Sequence, residues 1–349
     1  MTLFLTHPAP RLLILTLAIL GVGFSIDPIL TLLENTNQVA VGMPIAMIVG
    51  YFGFSMLDAG SESVVGEATA IVNREKWSPA LIPGIIAFGT SLSELGFVII
   101  STVKGENEIL AHSIIGSDGF QIGALFFLCV IFAKNNKWDP RLLRADMWLL
   151  TLMSYFVVSA MMNGFTRIAG FEITITALAA AWQFLADAPE GIFDTDDDDD
   201  AGFNGSTYNL VTGFALLLLG TVWFFDAIIY SGGVFGIPAF VLGIIGAVVT
   251  SAGEVFTSIP LVKSGKKGLF FACIALAGSN AFDTSFLGIS TIIRPFALES
   301  AMHNTFPAVV TMILTATLLI FVYRDEIPKK VGYVIVPLYL VSFVLLALV

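Results

Sequence analysis

Charge is scarce in this chain: Asp, Glu, Lys and Arg make up 12% of its 349 residues, against about 25% in soluble globular domains. With 56% hydrophobic residues and a mean hydropathy of +0.90, that scarcity excludes an ordinary soluble domain and identifies a polytopic membrane protein. Cysteine is limited to Cys129 and Cys273, both inside apolar runs, so neither a disulfide nor a redox compartment is inferred from them. Only three histidines are present, leaving no His/Cys cluster of the kind soft metals require. A P-loop or other nucleotide motif is missing as well, which argues against a primary pump. No resident cofactor and no nucleic-acid partner are expected.

The net charge of -11 owes much to one tract, Asp194 to Asp200, so it says little about partners. That tract lacks the Gly and terminal Glu of an EF-hand loop and reads as a solvated linker. The 30 phenylalanines are expected to face lipid or pack the core.

What the chain has in quantity is long apolar runs. Windows long enough to cross about 30 Å of hydrocarbon, roughly 17 to 25 residues, fall near 12–32, 37–57, 79–103, 109–133, 145–164, 166–186, 208–230, 236–262, 268–291, 306–323 and 331–349. The first is interrupted by Asp27-Pro28, and Arg11 followed by Leu12 to Phe24 also fits a signal peptide; a retained helix is the favoured reading. With the N-terminus in the cytoplasm, 13 of the 16 Lys and Arg residues fall on the cytoplasmic side. Only Lys104, Arg167 and Arg294 lie outside, a split that supports this segment count.

The expected fold is therefore an all-α polytopic membrane protein. Residues 1–36 form an N-terminal hydrophobic helix or signal segment, 37–186 a first five-helix repeat, 187–207 an acidic cytoplasmic linker and 208–349 a second repeat. An odd number of helices per repeat makes the second copy enter the membrane upside down.

Sequence echoes run through both halves. Asp58 matches Asp226; Thr90, Ser91 and Glu94 match Thr250, Ser251 and Glu254; Gly116-Ser117 matches Gly278-Ser279. The offsets of 168, 160 and 162 residues drift by only a few, as loop insertions between duplicated copies would produce. Thr90 and Glu94 share a helix face, and Gly89 and Ser93 allow a neighbouring helix to approach closely. A carboxylate in hydrocarbon costs roughly 2.5 to 3.5 kcal/mol on insertion scales, so two at matching positions point to one shared polar site. Hydroxyl, carboxylate and freed carbonyl oxygens are the ligands of hard cations such as Na+ and Ca2+. Pro83, Gly84, Gly253 and Pro260 would permit the local unwinding that frees carbonyls.

Gly89-Thr90-Ser91-Leu92-Ser93-Glu94-Leu95 followed by Gly116-Ser117-Asp118-Gly119-Phe120-Gln121 resembles the first alpha-repeat of the cation/Ca2+ exchanger superfamily, typically G-T-S-L-P-E and then G-S-N. Thr250-Ser251-Ala252-Gly253-Glu254 followed by Gly278-Ser279-Asn280-Ala281-Phe282-Asp283 resembles the second. The resemblance implies that Glu94 and Glu254 bridge a central Ca2+, with Thr90 and Thr250 adding backbone or hydroxyl oxygens. It also implies Na+ sites completed by Ser91, Ser117, Ser251 and Ser279, and places Asp283 and Gln121 beside the centre. Ser93 and Gly253 stand where Pro is typical, Val249 for Gly, Asp118 for Asn, and Gln121 where Asn is more usual; these departures bear on ion choice more than on fold.

The implied activity is secondary antiport of Na+ against Ca2+ by alternating access, in a multi-pass protein of the cell membrane with its C-terminus outside, its partners being the ions and the lipid bilayer. An H+/Ca2+ antiporter on the same fold is the alternative, and a passive channel is a further one. An enzyme is disfavoured because acid and base roles call for asymmetric environments, whereas these carboxylates are nearly symmetric. Asp58 and Asp226 are expected to anchor helix ends at the interface and His112 to be structural, while Asp118 stays open as a ligand or a modulator.

Overall fold

Helix dominates because runs of Leu, Ile, Val, Ala and Phe this long satisfy their backbone hydrogen bonds only internally once water is absent. The computed structural model describes residues 39–75, 87–133, 144–186, 205–251, 254–255, 258–259, 262, 268–298, 302–324 and 326–347. The expected first segment and the acidic tract lie outside the described residues. In chain order the helices are α1 (Val39–Arg74), α2 (Leu92–Lys104), α3 (Asn107–Phe120), α4 (Phe126–Phe132), α5 (Arg144–Asn163), α6 (Arg167–Ala186), α7 (Thr207–Phe235), α8 (Ala239–Thr250), α9 (Gly268–Ile293), α10 (Met302–Val322) and α11 (Lys329–Ala347). A π-helical turn, Gln121–Leu125, joins α3 to α4. Among the described residues four stretches are long and apolar enough to span a membrane, within Val39–Gly60, Asn107–Phe132, Thr207–Phe235 and Ala272–Ile293, and shorter apolar helices accompany them.

Burial separates centre from periphery. The spans in α3–α4 and α9 are 83% buried, whereas that in α1 is 17% buried. The outer faces carry Met47, Tyr51, Trp148, Met162, Ile168 and Trp182 in the open, a surface that water disfavours and lipid accepts. α3 packs on α8, α6 on α9, and α5 on both α6 and α10. Cys129 and Cys273 are free thiols in one buried apolar cluster of α3–α4 and α9.

α1 runs along α7 at glycine crossings. A Cβ on Gly53 would stand 2.6 Å from Phe224 N and 2.8 Å from Gly220 O, and one on Gly60 would stand 2.8 Å from Gly213 O. Small residues let the two backbones touch, which is how helices associate where lipid offers no hydrophobic drive. α1 also extends beyond its expected end near residue 57. The reason is polar: Glu67, buried against the start of α7, accepts from Ser206 N at 2.7 Å and Asn209 Nδ2 at 2.5 Å. Its carboxylate thereby satisfies orphan donors at a helix N-terminus.

The matched positions Asp58 and Asp226 differ in setting: Asp58 is exposed on α1, while Asp226, expected to anchor a helix end at the interface, is buried in α7 and ion-paired with Lys104 of α2 at 2.6 Å. His112 is buried, with Nδ1 2.8 Å from Glu108 O.

Candidate functional site

Two helices break at matching serines. Ser91 (φ −76°, ψ −1°) precedes α2, and Ser251 (φ −77°, ψ 8°) follows α8. Both ψ values leave the helical well for the bridge region, where functional residues are over-represented. Pro83, Gly84, Gly253 and Pro260, where unwinding was expected, lie outside the described residues; among the described ones the break falls on serine. Hydroxyls take up the carbonyls around each break. Ala87 O accepts from Thr90 Oγ1 at 3.1 Å and Ser91 Oγ at 3.0 Å, and Ala247 O accepts from Thr250 Oγ1 at 3.2 Å. Neither alanine is visible in sequence as a site residue, because a carbonyl oxygen carries no side-chain identity. Their signal is position, three residues before Thr in each half.

The two breaks face the centre of α9 and the last turn of α3. Ser91 Oγ lies 2.8 Å from Ser279 Oγ, and Ser251 Oγ lies 2.7 Å from Ser117 Oγ. Ser279 Oγ donates to Glu254 Oε1 at 3.0 Å, and Ser117 Oγ reaches Glu94 Oε1 at 3.3 Å. Ser251 Oγ reaches the same Glu94 oxygen at 3.4 Å. Glu94 is thus held by hydroxyls from both halves of the chain, and Glu254 by Ser279, which Ser91 of the first half backs.

Gln121 and Asp283 complete the set. Gln121 Nε2 donates to Ser117 Oγ at 3.0 Å and to Asp283 Oδ2 at 3.2 Å. Asp283 Oδ1 and Gln121 Oε1 are buried with no donor facing them, an arrangement that costs stability unless a cation or proton fills it. All ten residues expected at the site, Thr90, Ser91, Glu94, Ser117, Gln121, Thr250, Ser251, Glu254, Ser279 and Asp283, are buried together.

Ser93 was expected only to ease helix approach, yet its single hydroxyl proton faces three acceptors. These are Glu94 Oε2 at 2.7 Å, Thr250 O at 3.1 Å and Thr90 O at 3.2 Å. It therefore sits between the two threonine carbonyls and a carboxylate. Its place in the motif, where proline is typical, was the available signal.

Electrostatically the site is a concentration of negative charge, in which Glu94, Glu254 and Asp283 repel one another. Among the described residues no three His, Cys, Asp or Glu side chains converge closely enough to hold a metal by themselves. Any cation here must therefore draw on hydroxyl, amide and carbonyl oxygens too, the donor set of hard cations.

Comparison with known proteins bears on the family and the fold. The family model described as "Sodium/calcium exchanger protein" matches residues 45–183 and 206–348. The fold superposes on structures of the sodium-calcium exchanger NCX_Mj. One, soaked with 10 mM Na+ and zero Ca2+, gives a TM-score of 0.60 at 21% identity over 86% of this chain and 99% of that one. Another, soaked with 2.5 mM Na+ and 10 mM Sr2+, gives 0.61 at 20% identity over 86% and 99%. CaxA of Alkalimonas amylolytica, described provisionally as an antiporter, is 39% identical over 84 residues, which is 24% of this chain. That match spans only 26% of CaxA's own length.

Proposed function

The chain belongs to the sodium/calcium exchanger protein family, and from that premise we propose that it exchanges Na+ for Ca2+ across a membrane by alternating access at the Glu94–Glu254 centre. The observation that carries the proposal is the duplicated clasp. Glu94 with Ser117 and Ser251, and Glu254 with Ser279 and Ser91 behind it, form two equivalent oxygen-lined pockets around one negatively charged centre.

Charge sets the mechanism. Two glutamates held in a poorly solvating interior repel, and leaving them uncompensated is costly. One Ca2+ balances both; Na+ ions at the serine pockets balance them equally well. Competition of the two occupancies for the same carboxylates couples inward and outward steps and suppresses leak. In this reading Glu94 and Glu254 bind Ca2+ with Thr90 and Thr250, while Ser91, Ser117, Ser251 and Ser279 hold Na+, and Asp283 and Gln121 line the centre. The ions are substrates, and no resident cofactor is needed. The halves 37–186 and 208–349 act as inverted repeats, with access alternating as one helix group rocks against the other. The distribution of Lys and Arg supports a cytoplasmic N-terminus and a C-terminus on the far side of the cell membrane.

Retention of Thr-Ser in both breaks supports Na+ as the counter-ion, because the hydroxyl oxygens supply ligands for a bound metal ion. The test is radiocalcium uptake into proteoliposomes with membrane potential clamped, under an outward Na+ gradient in one sample and an outward proton gradient in another. Uptake driven by Na+ alone is expected. Uptake driven by protons alone would make the protein an H+/Ca2+ antiporter, and absence of uptake under both would overturn Ca2+ as substrate.

A further inference from the structure

Asp118 follows Ser117 directly, yet its side chain lines a separate cavity between α3, α5, α9 and α10. The walls include Asp118, Ser154, Asn280, Thr311 and Thr315, and none of the ten residues of the Glu94–Glu254 centre. The cavity has the room of one water molecule or one bare cation.

The chemistry of the lining is one-sided. Asp118 Oδ1 and Asn280 Oδ1 are buried with no donor facing them. The donors around them are already committed elsewhere. Ser154 Oγ donates to Leu150 O at 2.9 Å, Thr311 Oγ1 to Pro307 O at 3.0 Å and Thr315 Oγ1 to Thr311 O at 2.8 Å. Asn280 Nδ2 donates to Leu276 O at 3.0 Å, and Thr284 Oγ1 to Asp118 Oδ2 at 2.6 Å. Beside the apolar side chains of Ile122, Leu150 and Met153, the cavity presents oxygen lone pairs and one carboxylate to whatever fills it. An anion has nothing to bind there. Asp118 is the one carboxylate in the lining, and Glu94 and Asp283 act on it only through space, so a monovalent cation balances the charge of the lining itself, whereas a divalent cation would have to draw on carboxylates outside the cavity.

We propose that the Asp118–Asn280 cavity is a second cation site, which takes one monovalent alkali cation such as Na+ and lies beside the Glu94–Glu254 centre. Asp118 supplies the charge, Asn280 an amide oxygen, and Ser154, Thr311 and Thr315 the hydroxyl oxygens. The two halves are unequal here: Asp118 and Asn280 occupy matched positions, but only the first carries charge. The site goes beyond the exchange reading and stands on the cavity alone.

The experiment is equilibrium binding of radiosodium and radiocalcium to the purified full chain in detergent, for wild type, Asp118→Asn, Thr311→Val and Glu94→Gln. Asp118→Asn keeps side-chain size and the acceptor for Thr284. It is expected to bind one Na+ fewer per chain, with the Ca2+ half-saturation point within about twofold of wild type. Thr311→Val, which removes a single neutral oxygen, is expected to weaken that Na+ component about tenfold and keeps the test open should Asp118→Asn not fold. Unchanged Na+ stoichiometry in Asp118→Asn overturns the site, as does a loss of Ca2+ binding equal to that of Glu94→Gln, which would place Asp118 in the central site. Ca2+ binding that survives Glu94→Gln would overturn the central reading instead and leave the Asp118 result standing.

Discussion

Ser117 Oγ stands 2.7 Å from Ser251 Oγ, joining the last turn of α3 to the break after α8. Its counterpart, Ser91 with Ser279 at 2.8 Å, joins the break before α2 to the middle of α9. The serines beside Glu94 come from α3 and from the end of α8, one from each half of the chain, and Glu254 takes Ser279, which contacts Ser91 of the other half. In the proposed exchange, a relative shift of the halves would open both pockets at once. That is the geometric condition for a site whose occupancy and exposure change together.

Glu94→Gln and Glu254→Gln test the central carboxylates. Each keeps side-chain size and removes one of the two charges proposed to face the transported ion. At about 4 Å and an effective dielectric near 20 one such charge pair is worth roughly 4 kcal/mol, so Ca2+ transport should fall at least about a hundredfold in either variant. Proteoliposome flux, set beside the elution profile of the purified protein, checks this. Wild-type flux in both would sink the assignment.

Ser93→Ala should do the opposite to affinity. Its hydroxyl lies between Thr90 O, Thr250 O and Glu94 Oε2, atoms that a bound Ca2+ would need. A buried hydrogen bond contributes about 0.5 to 1.5 kcal/mol, so removing it should lower the half-saturating Ca2+ concentration roughly two- to tenfold. An affinity that does not move, together with a lower thermal midpoint, would instead make Ser93 a packing residue.

The site was legible in sequence where chemistry was duplicated. Thr90, Ser91 and Glu94 stood out because Thr250, Ser251 and Glu254 repeat them, and Ser117 because Ser279 repeats it. Ala87 and Ala247 did not, since their contribution is a carbonyl, and Ser93 did not, since its second-half counterpart Gly253 has no hydroxyl to echo. The breaks at Ser91 and Ser251 were hidden for a related reason: glycine and proline advertise unwinding, whereas a serine that leaves the helix by ψ alone has no compositional mark. In the fold, the length of α1 was missed because hydropathy ends near Asp58 while the helix continues on polar support, with Glu67 binding the start of α7. The matched positions Asp58 and Asp226 differ in setting, because Asp226 faces a cation while Asp58 is exposed.

Gly53→Leu and Gly220→Leu should separate α1 from α7. A Cβ at Gly220 would stand 2.7 Å from Gly53 O, and one at Gly53 2.6 Å from Phe224 N. The obstructing atoms are backbone and cannot rotate aside. Overpacking of this kind costs about 1 to 3 kcal/mol, so the thermal midpoint in detergent should drop in each variant. Gly236→Ala is the control: its Cβ would meet nothing within 4 Å, but its φ of 62° strains any L side chain, so its loss should be smaller, about 1 kcal/mol. Equal losses in all three would show that the crossing is not tight.

Lys104→Ala should destabilise more than Asp226→Asn, although each removes one half of the same 2.6 Å ion pair. The partners differ in their access to solvent, since the Asp226 side chain is fully buried and that of Lys104 is 25% exposed. Without the lysine, the Asp226 carboxylate loses its facing cation inside the protein, a change worth about 3 to 5 kcal/mol when burial is complete. Without the carboxylate charge, Lys104 keeps a route to water and its position 5.6 Å from the Phe225 ring centroid, so Asp226→Asn should cost roughly half as much. The double variant Lys104→Ala/Asp226→Asn removes both charges and should lose less than the sum of the two single losses. Thermal unfolding of the four proteins gives the cycle. If the two single variants lose equal stability and the double variant loses their sum, the contact contributes little, and α7 is held to α2 by packing alone.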